Sequence, residues 1–151
     1  MATTVADRVF IDTNVLVYAS RPTVPEHGAA RAALGRLEAS GCEAWISRQV
    51  LREYLAVVTR PQATAPSLPM ATGIADVRRF QSSFEVADDG PAEFERLLDV
   101  LAAHPGAGKQ VHDANLVAAM LVHGIRRLLT FNAADFRRFA GAIELEALVR
   151  S

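Results

Sequence analysis

The chain has 151 residues, half of them hydrophobic and 22% charged, with a formal net charge of −1. That is one domain's length with enough apolar material for a core, which excludes a disordered polymer. The near-zero charge excludes a protein that binds nucleic acid by charge alone, but not an enzyme that meets it at one patch.

A single cysteine, Cys42, excludes an internal disulfide and a cysteine-rich zinc site. Fifteen of the sixteen basic residues are Arg, and Lys109 is the exception. The skew favours bidentate contacts to phosphate or carboxylate, and a GC-rich coding sequence accounts for it equally well. The longest uncharged apolar stretch, Ala114 to Ile125, falls short of the ~20 residues a membrane span needs. No signal-peptide pattern is evident at the amino terminus, so a cytoplasmic protein without membrane contact is expected.

In chain order, Arg8 to Asp12 predicts a short buried strand ending in the polar cluster Asp12-Thr13-Asn14. Gly28 to Ala39 has helical spacing and stops at Ser40-Gly41. Ala44 to Ile46 predicts a second strand, after which Ser47 can cap a helix running to Val58. Pro61 to Met70, with three prolines and no charge, predicts an extended loop. A helix over Ile74–Ser83, a strand over Phe84–Ala87 and a helix over Pro91–Ala103 follow. After the loop His104–Lys109 come a strongly apolar helix from Asp113 to His123, a strand over Arg127–Phe131, a helix over Ala133–Phe139 and a strand over Ala142–Leu145. Strands that are continuous apolar runs alternating with helices imply an α/β sandwich with a mainly parallel sheet. Sites in such sheets lie beyond the carboxyl ends of the strands.

Four carboxylates fall at element ends or margins. Asp12 follows a buried strand; it can cap the next helix or face the crevice. Glu53 shares a helical stripe with Gln49 and Arg60 at the edge of an apolar face, where it either reaches a cleft or pairs with Arg60. Asp113 heads an all-round apolar helix and must be a cap, an ion-pair partner or a metal ligand. Asp135 or Asn132 can cap the helix after the strand that ends near Thr130. Taken together, clustered carboxylates suit Mg²⁺ or Mn²⁺ and in-line attack of water on a phosphodiester. No phosphate-binding loop competes, since Ala103 and Gln110 stand where Gly and Ser or Thr are required around Gly108-Lys109.

These residues, in Ile11-Asp12-Thr13-Asn14-Val15-Leu16, Ser47–Tyr54, His112–Ala119 and Leu129–Phe136, resemble the PIN-domain ribonucleases, most closely the VapC toxins of bacterial toxin–antitoxin pairs. The likeness covers about Arg8 to Leu145. It implies a single PIN domain over residues 1–151, a three-layer α/β sandwich with a mainly parallel central sheet flanked by helices. It further implies that Asp12 and Asp113 bind Mg²⁺, that Glu53 binds metal through water or positions the attacking water, and that Asp135 is a further catalytic acid. Many family members carry Asp at the position of Asn132, so either Asn132 or Asp135 completes the acidic site. Thr13, Asn14, Thr130 and Asn132 would support the site by hydrogen bonds. Arg48, Arg52 and Arg60, with Arg137 and Arg138, are candidates to hold phosphates, and solvated helix faces are their alternative. His112 is expected to hydrogen-bond locally. The implied substrate is a structured RNA such as tRNA or rRNA, and the implied partners are a cognate antitoxin and a second copy in a homodimer. A catalytically inactive PIN-like binder is the alternative. A haloacid-dehalogenase-type phosphohydrolase fits less well, because Asn14 stands where that chemistry needs a carboxylate.

Overall fold

Val9, Phe10 and Ile11 are fully buried and make most of β1 (Arg8–Ile11), the central strand of the sheet. The computed structural model describes residues 7–150; the first six residues and Ser151 of the expected domain lie outside it. After β1 come α1 (Thr13–Ala19), α2 (His27–Ala39), β2 (Glu43–Ser47), α3 (Arg48–Val58), α4 (Met70–Ser83), β3 (Glu85–Ala87) and α5 (Pro91–Ala103). Then follow α6 (Lys109–Val122), β4 (Arg127–Thr130), α7 (Ala133–Phe136), a 3-10 turn (Arg137–Phe139) and β5 (Glu144–Ala147).

The five strands run parallel in the order β3-β2-β1-β4-β5, with Phe10 opposite Trp45 on one side and Leu128 on the other. Right-handed crossovers place α1 to α4 on one face and α5 to α7 on the other. Packing agrees: α1 contacts α2 and α3, α3 contacts α4, and α6 contacts α5 and α7. Both faces of the inner sheet are thereby covered, which is why the central strands β1 and β4 carry apolar runs, while the edge strand β5 (Glu-Leu-Glu-Ala) alternates and stays partly exposed. Gly124, at φ +69°, takes the left-handed turn that ends α6 and lets Ile125 N–H bond back to the Met120 carbonyl.

Three element starts lie more than one residue from expectation, each for a local reason. Helix α6 begins four residues before Asp113, because Gly108 (φ +58°) reverses the chain and the Gln110 side chain accepts from Ala107 N–H at 3.0 Å. Helix α4 begins at Met70, with the Pro69 carbonyl accepting from Thr72 and Gly73. Strand β5 starts at Glu144 because Ala142 and Ile143 still donate to Phe139, and only Glu144 N–H reaches across to Arg126. No helix among the described residues is long and apolar enough to cross a membrane.

Candidate active site

The chain leaves β1 toward β2 and β3 on one side and returns to β4 and β5 on the other, so the connection reverses between β1 and β4. A crevice opens at such a switch point. Asp12 and Thr130 stand there, and Asp12 N–H extends the ladder by donating to the Leu129 carbonyl at 3.0 Å.

Asp12 is only 7% exposed. One carboxylate oxygen, Oδ1, accepts from Thr13 N–H at 2.8 Å, so Asp12 does cap α1. The other, Oδ2, accepts from Thr130 Oγ1 at 2.7 Å and Asn14 Nδ2 at 3.1 Å. Thr130 Oγ1 is itself fixed by Asn132 N–H (2.9 Å), and Asn14 Oδ1 by Phe131 N–H (3.2 Å). Burial pushes Asp12 up to about 6 despite these bonds, with the charges of Glu53 and Asp113 adding to the rise. Capping and facing the crevice are thus one arrangement.

Glu53 does not pair with Arg60, whose Nε donates to the Ala56 carbonyl. Its Oε2 accepts from Thr13 Oγ1 at 2.9 Å and its Oε1 from Gln49 Nε2 at 2.8 Å. Gln49, 7% exposed, also donates to the His112 carbonyl (2.9 Å) and accepts from Asn115 Nδ2 (2.7 Å). One buried amide therefore ties α3 to α6 from opposite layers. Gln49 and Asn115 were not expected to serve the site. The available signals were Gln49 one helical turn before Glu53, and Asn115 as the lone amide in the apolar run from Asp113 to His123.

Asp113 sits in the second turn of α6, not at its head, and Gly108 occupies the N-cap. Its carboxylate makes no hydrogen bond or ion pair among the described residues. Burial raises its pKa, Asp135 and Glu53 raise it further, and Lys109 and Arg138 oppose them. Two of the three roles open to it, cap and ion-pair partner, are therefore gone. Asp135 and Asn132 flank the first turn of α7, and neither side chain caps it, contrary to expectation; the Asn132 carbonyl takes Asp135 N–H instead.

Asp12, Glu53, Asp113, Asp135 and Asn132 line one cavity of about 690 Å³, with Arg60, Lys109 and His112. No salt bridge among the described residues neutralises any of the four carboxylates. Arg48 and Arg52 are not brought to the cavity; they pair with Asp88 (3.1 Å) and Asp89 (3.4 Å) beyond β3. Arg137 is exposed. Arg138 lies over the Phe139 ring and donates to the Pro105 and Gln110 carbonyls, bracing the loop that leads into α6. The His112 side chain makes no hydrogen bond among the described residues, contrary to the expected local bond; it is the His112 backbone carbonyl that accepts from Gln49 on the facing helix α3.

Among the described residues no three His, Cys, Asp or Glu side chains converge closely enough to enclose a metal by themselves. Hard oxygen donors with excess negative charge fit Mg²⁺, which binds through one or two carboxylates and keeps several waters.

The PIN-domain family model matches residues 9–142. The chain is 34% identical to ribonuclease VapC24 over 136 residues, covering 85% of this chain and 89% of that protein. It is 30% identical to ribonuclease VapC48 over 135 residues, covering 86% and 90%; both are from Mycobacterium tuberculosis. The crystal structure of VapBC2 from Rickettsia felis, bound to a DNA fragment from their promoter, contains a chain of the same fold. That chain has a TM-score of 0.69 and 19% identity, covering 94% of this chain and 99% of that one. The match runs through every element that builds the crevice, and this protein belongs to the PIN-domain family, on its VapC-like side.

Proposed function

We propose that the protein is a Mg²⁺-dependent ribonuclease, the toxin of a toxin–antitoxin pair, that hydrolyses phosphodiester bonds in a structured RNA such as tRNA or rRNA. The observation that carries this reading is the cluster of four carboxylates, none ion-paired, around one cavity at the switch point of the sheet. Relatives named as ribonucleases at 30% and 34% identity support the RNA substrate. The VapBC2 likeness supports a cognate antitoxin, and a homodimer is the expected assembly.

Asp12 and Asp113 would hold Mg²⁺, with Mn²⁺ as a substitute, and Asp135 or Asn132 lies where it can add a donor. When bound, the ion neutralises phosphate charge and lowers the pKa of water. Thr13 and Gln49 hold Glu53 with each carboxylate oxygen accepting one bond. Each oxygen keeps a free lone pair, and Glu53 uses one to orient the attacking water. Thr130 and Asn14 keep Asp12 from rotating away. Water oxygen attacks phosphorus, and the bond to the leaving ribose oxygen breaks. Neither a 2′-hydroxyl nucleophile nor a histidine base is required.

The test is cleavage of end-labelled cellular RNA with Mg²⁺, with EDTA, and by Asp12→Asn. Cleavage lost in both controls supports the reading. Cleavage by Asp12→Asn at the wild-type rate refutes the metal site, and no cleavage by folded wild type favours an inactive PIN-like binder.

A further inference from the structure

The cavity extends well past the carboxylates. Its far part is formed by the second half of α1, the second half of α3, and the segments that follow them, with Val17, Tyr18, Val24 and Val57 as an apolar wall. Tyr18 is half-buried, its ring set edge-on against Phe131 at 5.1 Å, and its hydroxyl has no hydrogen-bond partner among the described residues. Three guanidinium groups line this end; Arg150 is already paired with Glu26 at 3.1 Å, and the other two have no carboxylate partner among the described residues. Arg21 is 3% exposed, donates only to the Val58 and Pro66 carbonyls, and has no carboxylate partner among the described residues. A buried cation without a counter-ion is costly, so an anion brought to this end meets an attractive, poorly screened charge. Arg60 is exposed, spends only Nε on the Ala56 carbonyl, and keeps both terminal nitrogens free.

The cavity is therefore bipolar: uncompensated carboxylates at one end, the uncompensated guanidinium groups of Arg21 and Arg60 beside the neutralised Arg150–Glu26 pair at the other, and an apolar wall with an aromatic ring between them. A single-stranded nucleotide has matching parts. We infer that this far part is a subsite for the unpaired nucleotide adjoining the scissile phosphate, its base against Tyr18, Val17 and Val57 and its distal phosphate toward Arg60 and Arg21. The volume suits such an occupant, since about 300–1,000 Å³ is typical of sites for compact ligands. Arg60, just beyond the end of α3, and not Arg48 or Arg52 on that helix, is then the arginine that meets substrate. Base stacking on an aromatic ring tolerates any base, so this subsite requires an unstacked nucleotide without choosing its identity. The inference rests on the ribonuclease reading for its substrate class but not for its test.

The test is binding of the four nucleoside 5′-monophosphates, against ribose 5-phosphate, to the full chain with Mg²⁺, followed by NMR at the Tyr18 ring and the Val17 and Val57 methyls. The monophosphates should shift these signals, and ribose 5-phosphate should not. Tyr18→Leu should weaken the monophosphates roughly tenfold, the scale of one base–aromatic stack, and leave ribose 5-phosphate unchanged. Arg60→Gln, on the surface and harmless to folding, should weaken both. Monophosphates that leave Tyr18 undisturbed, or that lose no more to Tyr18→Leu than ribose 5-phosphate does, overturn the subsite even if RNA is cleaved as proposed. Monophosphates that bind as described while RNA stays uncut sustain the subsite and reject the ribonuclease.

Discussion

Replacing Asp12 by Asn should change how stability depends on pH. Asp12 is raised from the ordinary 3.8 to about 6, chiefly by burial. At about 1.36 kcal/mol per pH unit, ionising it in the folded chain costs about 3 kcal/mol more than in the unfolded chain. Because the folded value is the higher one, the folded chain holds the extra proton between about pH 4 and 6. The contribution is fully present below pH 3.8 and is lost once the pH has risen past 6. Asn carries no such term. Its amide, however, would set an N–H against the Asn14 and Thr130 donors that now serve Oδ2, so the offset between the two proteins at any one pH is not informative. The slope is.

Urea unfolding in EDTA, read by circular dichroism from pH 4.5 to 7.5, should show wild type losing about 2 kcal/mol relative to Asp12→Asn. Most of that loss should fall between about pH 4.5 and 6, with little change above. Mg²⁺ should flatten the wild-type slope and leave the variant's unchanged, since a cation supplies the missing counter-charge. A difference between the two proteins that stays within about 1 kcal/mol across this range, with the same urea dependence, would refute the reasoning.

Three further outcomes are expected. Asp113→Asn should fold normally, because no bond of the folded chain is lost, yet cleave no RNA in the end-label assay. Gln49→Leu leaves one Glu53 oxygen, Asn115 Nδ2 and the His112 carbonyl without their partner; it should lower the cleavage rate or Mn²⁺ affinity about 10- to 100-fold, and urea unfolding should show a loss of about 1–3 kcal/mol. Arg48→Ala and Arg52→Ala should keep cleavage within about twofold and stability within about 1 kcal/mol, since each removes only an exposed ion pair.

The sheet was readable because its inner strands are covered on both faces and so appear as apolar runs, unlike the edge strand β5 with Glu144 and Glu146. The helix ends were less so. Hydrophobic periodicity sees only the buried stripe, and the first turn of α6, Lys109 to His112, is polar or solvent-facing. That turn is helical because of Gly108 and Gln110, neither of which carries a periodic signal. The same blindness applies to the site. A carboxylate directly after an apolar strand stands out, but an amide such as Gln49 is equally at home on a solvated surface. Only the packing of α3 against α6 shows that its three bonds all point inward. Arg48, Arg52 and Arg60 likewise look alike in sequence. Two meet acids on the β3–α5 loop, and the third, two residues past the end of that helix, reaches the cavity.

The boundary of α6 bears on chemistry as well as on prediction. Had Asp113 headed that helix, free N–H groups would have offered its carboxylate a structural role. In the second turn those N–H groups already bond within the helix, no basic side chain approaches closely enough to pair, and Asp135 and Glu53 add repulsion. A half-buried carboxylate in that position weakens the protein unless something positive joins it. Asp12 is in the same condition across the crevice, kept charged above pH 6 at a cost its three hydrogen bonds do not cover. Two acids crowded by burial and by neighbouring carboxylates, Asp12 fixed by three hydrogen bonds and Asp113 without a partner among the described residues, are the arrangement on which the proposed cation site rests.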